Sequence, residues 1–424
     1  MPSFLHVADV HLGFDRYESP ERTKDFFYAF RDVLQRYAVE AAVDFVLIAG
    51  DLFEHRTILP NTLNQAELAL GLLKQAGIPV LAIEGNHDNC PYGVKTSWLR
   101  YLADHDFLRL LEPIYEPETQ LLAWSDSNKR GGYCDLPCGV RVIGSNWYGS
   151  SAPKAIDDLA KAIHNLPKNP TINQTILMFH HGLEGQIARY QGALRYADLM
   201  PLREAGIDYL ALGHIHKSYT VEGWIFNPGS LEANSIAESE FERGAYYVHL
   251  SPGFVQAKLI QDHQQRPCYR LDWEAKGRET LEEIQETILT IVQQAVIPNS
   301  PQAIVEFKLK GQVGIPKSSF DERRIKQDIQ QITHALIVIF RWEAKALDFD
   351  LSPATVDDNQ RMAVETQVYH DLLASHAHYR KRSQELANVL LDLKEQVIDG
   401  QPERVSYERL GQAFLGNSFG MEEA

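Results

Sequence analysis

The first 250 residues are organised by short apolar runs that stop abruptly at polar blocks. Residues 4–8 run into Asp9-Val10-His11, and 43–49 stop at Gly50-Asp51. Residues 80–83 precede Gly85-Asn86-His87-Asp88. Residues 175–179 end at His180-His181-Gly182, and 207–212 at Gly213-His214-Ile215-His216. Helical patterns lie between the first three runs. One covers 23–40, with Phe27, Phe30, Val33, Leu34 and Tyr37 at helical spacing; another covers 61–75. Apolar runs alternating with helices predict strands paired in parallel, hence a layered α/β domain. In such sheets ligands gather at the carboxyl ends of the strands. The topology therefore brings the five blocks to one edge.

Asp and His suit Mn²⁺, Fe²⁺ or Zn²⁺, and the blocks contain no thiolate. In Asp9-x-His11 the two side chains are two residues apart, so at a strand end both face one way and reach one ion. The same parity applies to His214-x-His216. Asp51 has two carboxylate oxygens and can bridge two ions, Asn86 adds a neutral oxygen, and His180 completes a second set. Each block alone has a plain structural reading, as a surface pair or a turn. Their joint occurrence after successive strands favours a two-metal site.

The chain has 424 residues, enough for two or three domains. No apolar run approaches the ~20 residues that span a bilayer, and the first residues carry no basic signal region. The expectation is a soluble cytoplasmic protein without a membrane partner. Four cysteines are too few for a disulfide framework. A net charge of −16 excludes nucleic-acid binding through a broad basic surface. It does not exclude a nucleic-acid enzyme, because two divalent ions add about +4 where a phosphate sits.

The five blocks together resemble the calcineurin-like metallophosphoesterase superfamily. Within it, Ala8-Asp9-Val10-His11-Leu12-Gly13, Ala49-Gly50-Asp51-Leu52-Phe53 and Pro228-Gly229-Ser230-Leu231-Glu232 look like the SbcD family of DNA double-strand-break repair nucleases, as does Gly244 ahead of 245–248. The resemblance covers residues 3–250. It implies a layered β-sandwich core flanked by helices and two metal ions, for which the family favours Mn²⁺. It implies that Asp9, His11 and His216 hold one ion, that Asn86, His180 and His214 hold the other, and that Asp51 bridges them. It further implies that His87 faces the scissile phosphate and that Asp88 orients its ring. The implied activity is exonucleolytic on duplex ends and endonucleolytic on single strands. The implied partners are DNA, an SMC-like ATPase of the SbcC type and a second copy of the chain. A nucleotide or phosphoprotein phosphoesterase is the alternative. A non-catalytic scaffold would be expected to lose ligands, and all seven are present.

Three departures fall in the flanks. Glu54 stands where some relatives carry His, with His55 one later; Ala233 follows Glu232 where Arg is common; and Asn227 occupies a position that is often aromatic. Beyond 250 the texture changes, predicting a small α+β capping domain over 255–350, with a helix at 279–294 and a strand at 303–309. A helical tail follows over 354–424. Its apolar face, formed by Val364, Val368, Leu372, Tyr379, Leu386, Val389, Leu390, Leu393 and Val397, predicts a partner surface.

Overall fold

Alternate residues of each early strand enter different cores, which explains why the strands read as unbroken apolar runs. In the computed structural model the elements of the first part follow in order as β1 (Ser3–Val7), α1 (Pro20–Leu34), β2 (Phe45–Ala49), α2 (Pro60–Ala76), β3 (Val80–Ile83), α3 (Trp98–Asp104) and β4 (Arg109–Leu110). Then come β5 (Tyr133–Asp135), β6 (Val140–Ile143), α4 (Ala152–His164), β7 (Gln174–His180), α5 (Tyr196–Glu204) and β8 (Tyr209–Gly213). β9 (Tyr219–Val221), β10 (Ile225–Asn227), β11 (Ala245–Ser251) and β12 (Phe254–Ile260) complete it. The structure describes residues 1–114, 118–187, 192–296, 302–346, 358–398, 409–411 and 413–414.

Two six-stranded sheets form, ordered β12-β11-β1-β2-β3-β4 and β5-β6-β7-β8-β10-β9. β1 to β4 pair in parallel, as do β6, β7, β8 and β10. Between the sheets pack Phe4, Phe45, Leu47, Leu81 and Ile83 from the first and Val142, Ile176, Met178, Tyr209 and Ala211 from the second. The intervening residues face outward. Leu5, Val7, Val46 and Ile48 meet Phe30 and Val33 of α1 and Leu70 and Leu73 of α2. Leu177, Phe179, Leu210 and Leu212 meet Ile156 and Leu159 of α4 and Leu199 and Leu202 of α5. The order is helix, sheet, sheet, helix. Each fully buried Leu, Ile, Phe or Met contributes about 1.5–3 kcal/mol, so a charge on any of these strands is strongly disfavoured.

Helix limits follow the local sequence. α2 opens on Pro60, whose fixed φ suits the first turn, and ends on Gly77 at φ 71°, a left-handed cap. β5 pairs with β6 as an antiparallel hairpin. Ala123 makes an isolated bridge to Tyr133, and Gly131 and Gly132 lie so close to residues 121–124 that a Cβ on either would clash there.

The chain divides between Arg266 and Pro267 rather than near residue 250, because β12 pairs along its whole length with β11. The second unit holds β13 (Cys268–Lys276), α6 (Leu281–Ala295), β14 (Ile304–Val313), α7 (Glu322–Thr333), β15 (Ile337–Trp342), β16 (Lys345–Ala346), α8 (Asp358–Ser375) and α9 (Ser383–Ile398). β13, β14 and β15 are parallel, and α6 and α7 cover them through Ile284, Ile288, Ile325 and Ile329. A reciprocal cap between Thr280 and Glu283 starts α6.

The tail helices pack partly on each other. Leu386 and Ala387 are buried with Leu373, beside Tyr369, Tyr379, Leu390 and Phe414. Leu393 is also buried, whereas Leu372 and Val397 are exposed. The face predicted from periodicity is thus divided between the hairpin and solvent. The Val364 side chain, residues 354–357 and residues 399–408 lie outside the described residues. No helix among the described residues is long and apolar enough to cross a membrane.

Candidate metal centre

The polar blocks begin where strand geometry ends. β1 stops at Val7, and the loop after it runs beside the loop after β2. Asp9 N donates to Gly50 O (3.2 Å), Val10 N and His11 N to Asp51 O (2.9 and 3.1 Å), and Leu12 N to Leu52 O (2.9 Å). Asp9, His11, Asp51 and His214 have φ of 51°, 53°, 53° and 86°. Each such residue costs about 1–2 kcal/mol, cost that persists where surrounding contacts over-determine the backbone. Strand parity therefore does not govern these side chains. Asp9 and His11 still meet, but His214 and His216 part into different clusters.

The first cluster is Asp9, His11 and His216. His11 Nε2 and His216 Nε2 lie 3.1 Å apart, each 4.0 Å from Asp9 Oδ1. The other nitrogen of each ring faces a carboxylate: His11 Nδ1 is 2.8 Å from Glu54 Oε2, and His216 Nδ1 is 3.1 Å from Glu238 Oε2. Carboxylates at both Nδ1 atoms favour protons there and leave two Nε2 lone pairs directed at one point. A cation satisfies that arrangement.

The second cluster is Asp51, His180 and His214, joined by Asn86. His180 Nδ1–H donates to Ala49 O (2.8 Å), which fixes the tautomer and frees Nε2. That Nε2 lies 3.2 Å from both Asp51 Oδ2 and Asn86 Oδ1, and His214 Nδ1 lies 2.8 Å from the same amide oxygen. The adjacent glycines make room. A Cβ on Gly50, at φ 92°, would overlap the His180 ring, and one on Gly85 would overlap Asp51 Oδ1. Both clusters draw on both sheets, and their donor sets fit two divalent ions.

Titration within the second cluster is divided. Burial works against a charge on His180, but its ion pair and hydrogen bond with Asp51 outweigh it and raise the pKa to about 9. Burial lowers His214 to about 3, and the neighbouring His180 charge adds to the effect. Asp51, although buried, is held well below the usual carboxylate range by His180, His11 and His87. Burial raises Asp9 despite the surrounding imidazoles.

His87 stands beside both groups. Its backbone N donates to Asp51 Oδ1 (2.9 Å), and its ring centroid is 4.9 Å from that of His11. Its Nδ1–H donates to the carbonyl oxygen of Glu54 (2.8 Å), leaving Nε2 available. Asp88 does not orient this ring, contrary to what the resemblance implies; Glu54 O does. Asp88 Oδ2 accepts from Leu52 N (2.7 Å) and Phe53 N (3.3 Å), and its Oδ1 from Gly85 N (2.8 Å). Buried among backbone N–H groups, it ties the loop after β2 to the loop after β3. Burial and the Asp51 charge push its pKa up to about 8 against those bonds.

The departures from the family pattern also find places. Glu54 turns inward to His11, whereas His55 is exposed and pairs with Asp15 at 3.2 Å. Ala233 leaves no side-chain cation after Glu232. A guanidinium arrives instead from α1, where fully buried Arg22 donates to Ala233 O (2.6 Å) and lies 3.7 Å from Glu232 Oε1. Asn227 donates to Ile215 O (2.6 Å) and Lys217 O (2.9 Å), bracing the turn that carries His216. His181 packs beside the second cluster with its ring nitrogens near the Gly182 and Gly149 carbonyls. Buried Cys134 accepts from the Arg109 guanidinium at 3.1 Å. Sequence reasoning missed Glu238 and Trp147. Glu238 sits in a short 3₁₀ helix (Ile236–Glu240) with no periodic signal, and the ring of Trp147 lies 5.2 Å from that of His214.

Residues 2–218 match the calcineurin-like phosphoesterase family. Over 243 residues the chain is 30% identical to the DNA double-strand break repair protein Mre11 of Archaeoglobus fulgidus, covering 56% of this chain and 51% of that protein. It is 47% identical over 282 residues to the Aeropyrum pernix protein of the same name, covering 64% and 63%. It is 26% identical over 278 residues to the uncharacterized metallophosphoesterase YhaO of Bacillus subtilis, covering 62% and 60%. The alignments thus span 51–63% of the length of these relatives.

Proposed function

The chain belongs to the calcineurin-like phosphoesterase family, and from that premise we propose that it is a metal-dependent DNA nuclease acting in double-strand-break repair. The observation that carries the reading is the pair of adjoining clusters, Asp9–His11–His216 and Asp51–His180–His214, with His87 beside them. DNA as substrate rests on the similarity to proteins named for double-strand break repair. Asp9, His11 and His216 are assigned to one ion, Asn86, His180 and His214 to the other, and Asp51 to both, with Mn²⁺ as the metal. Two such ions supply charge to bind a phosphodiester and lower the pKa of water.

The chain's own residues set the geometry. Ala49 O and the Glu238 carboxylate hold the His180 and His216 rings in the ligating orientation. With Nδ1–H committed to Glu54 O, His87 has Nε2 free to face the leaving oxygen, where it would act on developing charge. Asp88 acts as a positioning residue by fixing the two loops that carry Asp51 and His87. We assign exonuclease action on duplex ends and endonuclease action on single strands in the cytoplasm, with a homodimer and an SMC-like ATPase of the SbcC type as partners. The exposed Leu372 and Val397 of the tail helices support an ATPase-docking role there.

The test is incubation with end-labelled duplex DNA and Mn²⁺. Cleavage that is lost in His87→Asn while both ions stay bound supports the reading. Turnover of a small phosphodiester without DNA cleavage replaces it with a nucleotide phosphodiesterase.

A further inference from the structure

The strands that deliver metal ligands in the second sheet, β7 and β8, have a third parallel neighbour, β6, whose carboxyl end opens onto the same edge. It delivers no ligand. The loop after it reads Gly144-Ser145-Asn146-Trp147-Tyr148-Gly149 and brings an indole to the second cluster. The Trp147 ring centroid is 5.2 Å from that of His214, 5.7 Å from His180 and 5.8 Å from His181, nearly parallel to the last at 23°.

This tryptophan is not a core residue. Among the described residues it belongs to none of the apolar clusters of the first unit, and its ring neighbours are imidazoles. It is only partly buried, and its Nε1–H has no protein acceptor among the described residues. A large ring that keeps a partly exposed face beside a phosphodiester site is suited to stacking. Every nucleobase has a π face, so such a contact serves substrates of any sequence. We propose that Trp147 is a substrate-binding residue that stacks on the nucleobase adjoining the scissile phosphate. The inference rests on the nuclease reading. It adds that one base must leave the helical stack to be held at the site, the geometry of a single-stranded or frayed end.

The alternative role, packing that merely steadies His180 and His214, predicts a different result. The experiment is a cycle of two changes. One is Trp147→Ala in the full chain. The other is a Mn²⁺-supported single-stranded oligonucleotide in which the nucleotide on the 5′ or the 3′ side of one scissile position is replaced by an abasic residue. Each single change is expected to lower kcat/KM at that position by about 10- to 100-fold. At one of the two sides the combined change is expected to cost no more than either alone. Multiplicative losses at both sides, or an equal loss on base-bearing and abasic DNA, overturn the proposal. Metal content is measured on each protein. If Trp147→Ala loses metal, the cycle is run with Trp147→Leu, which keeps an apolar side chain against the histidines, and multiplicative losses there overturn it equally. Failure of the unsubstituted chain to cut any DNA refutes the nuclease reading itself and removes this inference with it.

Discussion

His6 offers a quantitative test of how the two sheets are joined. Its ring is fully buried between them, with Nε2–H donating to Leu212 O (3.0 Å) and Nδ1 accepting from the Tyr209 hydroxyl (2.9 Å). Burial lowers its pKa from 6.5 to about 3, with the Leu212 bond opposing. A depressed folded pKa means that the unfolded chain binds the proton more tightly. The associated stability is present above 6.5 and is lost as pH falls toward 3. At about pH 5 the unfolded imidazole is protonated and the folded one is not, so the penalty is roughly 1.36 × 1.5, or about 2 kcal/mol. At about pH 7.5 it is close to zero. Replacing His6 by Gln removes the titration and keeps a polar side chain of similar reach. Hydrogen exchange of β1 and β8 amides in chelator then compares the two proteins at both pH values, and the ligand histidines cancel because both carry them. The native chain should lose about 2 kcal/mol more than His6→Gln between these conditions. A difference below ~0.5 kcal/mol, within ordinary additivity error, refutes the argument.

Further predictions concern the residues around the ligands. Glu238→Ala should weaken binding at the first cluster by about 10- to 100-fold, read by metal titration, while the second site keeps its affinity. Gly85→Ala should lower metal content with little change in circular dichroism, because its Cβ meets the Asp51 carboxylate rather than the core. Asn227→Leu breaks two bonds to the His216 turn and should cost about 1–3 kcal/mol, measured by denaturation of the metal-free chain. If the proposed SMC-like ATPase docks on the tail, removing residues from 354 onward should abolish that association and spare cleavage of short DNA. Retained association in a pull-down assigns the α8–α9 hairpin a purely structural role.

The strands were legible because burial on both faces leaves unbroken apolar runs, and the blocks were legible because they interrupt those runs at fixed points. What lay beyond the strand ends was not. The period of two that seemed to unite His214 with His216 has no force at φ 86°, where the backbone has left the strand. Asp88 reads as a partner for its neighbour His87, yet its oxygens are taken by N–H groups from two loops, an outcome set by tertiary approach. Glu54 was legible only as a departure from the family pattern, and Glu238 gave no signal, because a single carboxylate in a polar segment is ordinary; only the folded loops bring them to the Nδ1 atoms of His11 and His216. Arg22 precedes the helix predicted from residue 23, yet it lies within α1, is wholly buried and donates to Ala233 O.

The division of ligands between the sheets has a consequence for the life of the protein. Residues through Asn86 can be made and paired on the first sheet without assembling either complete ligand set. The final donors, His214 and His216, lie on the second sheet and emerge from synthesis well over a hundred residues later. A growing or half-folded chain therefore lacks both proposed ligand sets. Both proposed ligand sets are completed only when the two sheets pack, so the order of synthesis delays the site to the last step of building the sandwich.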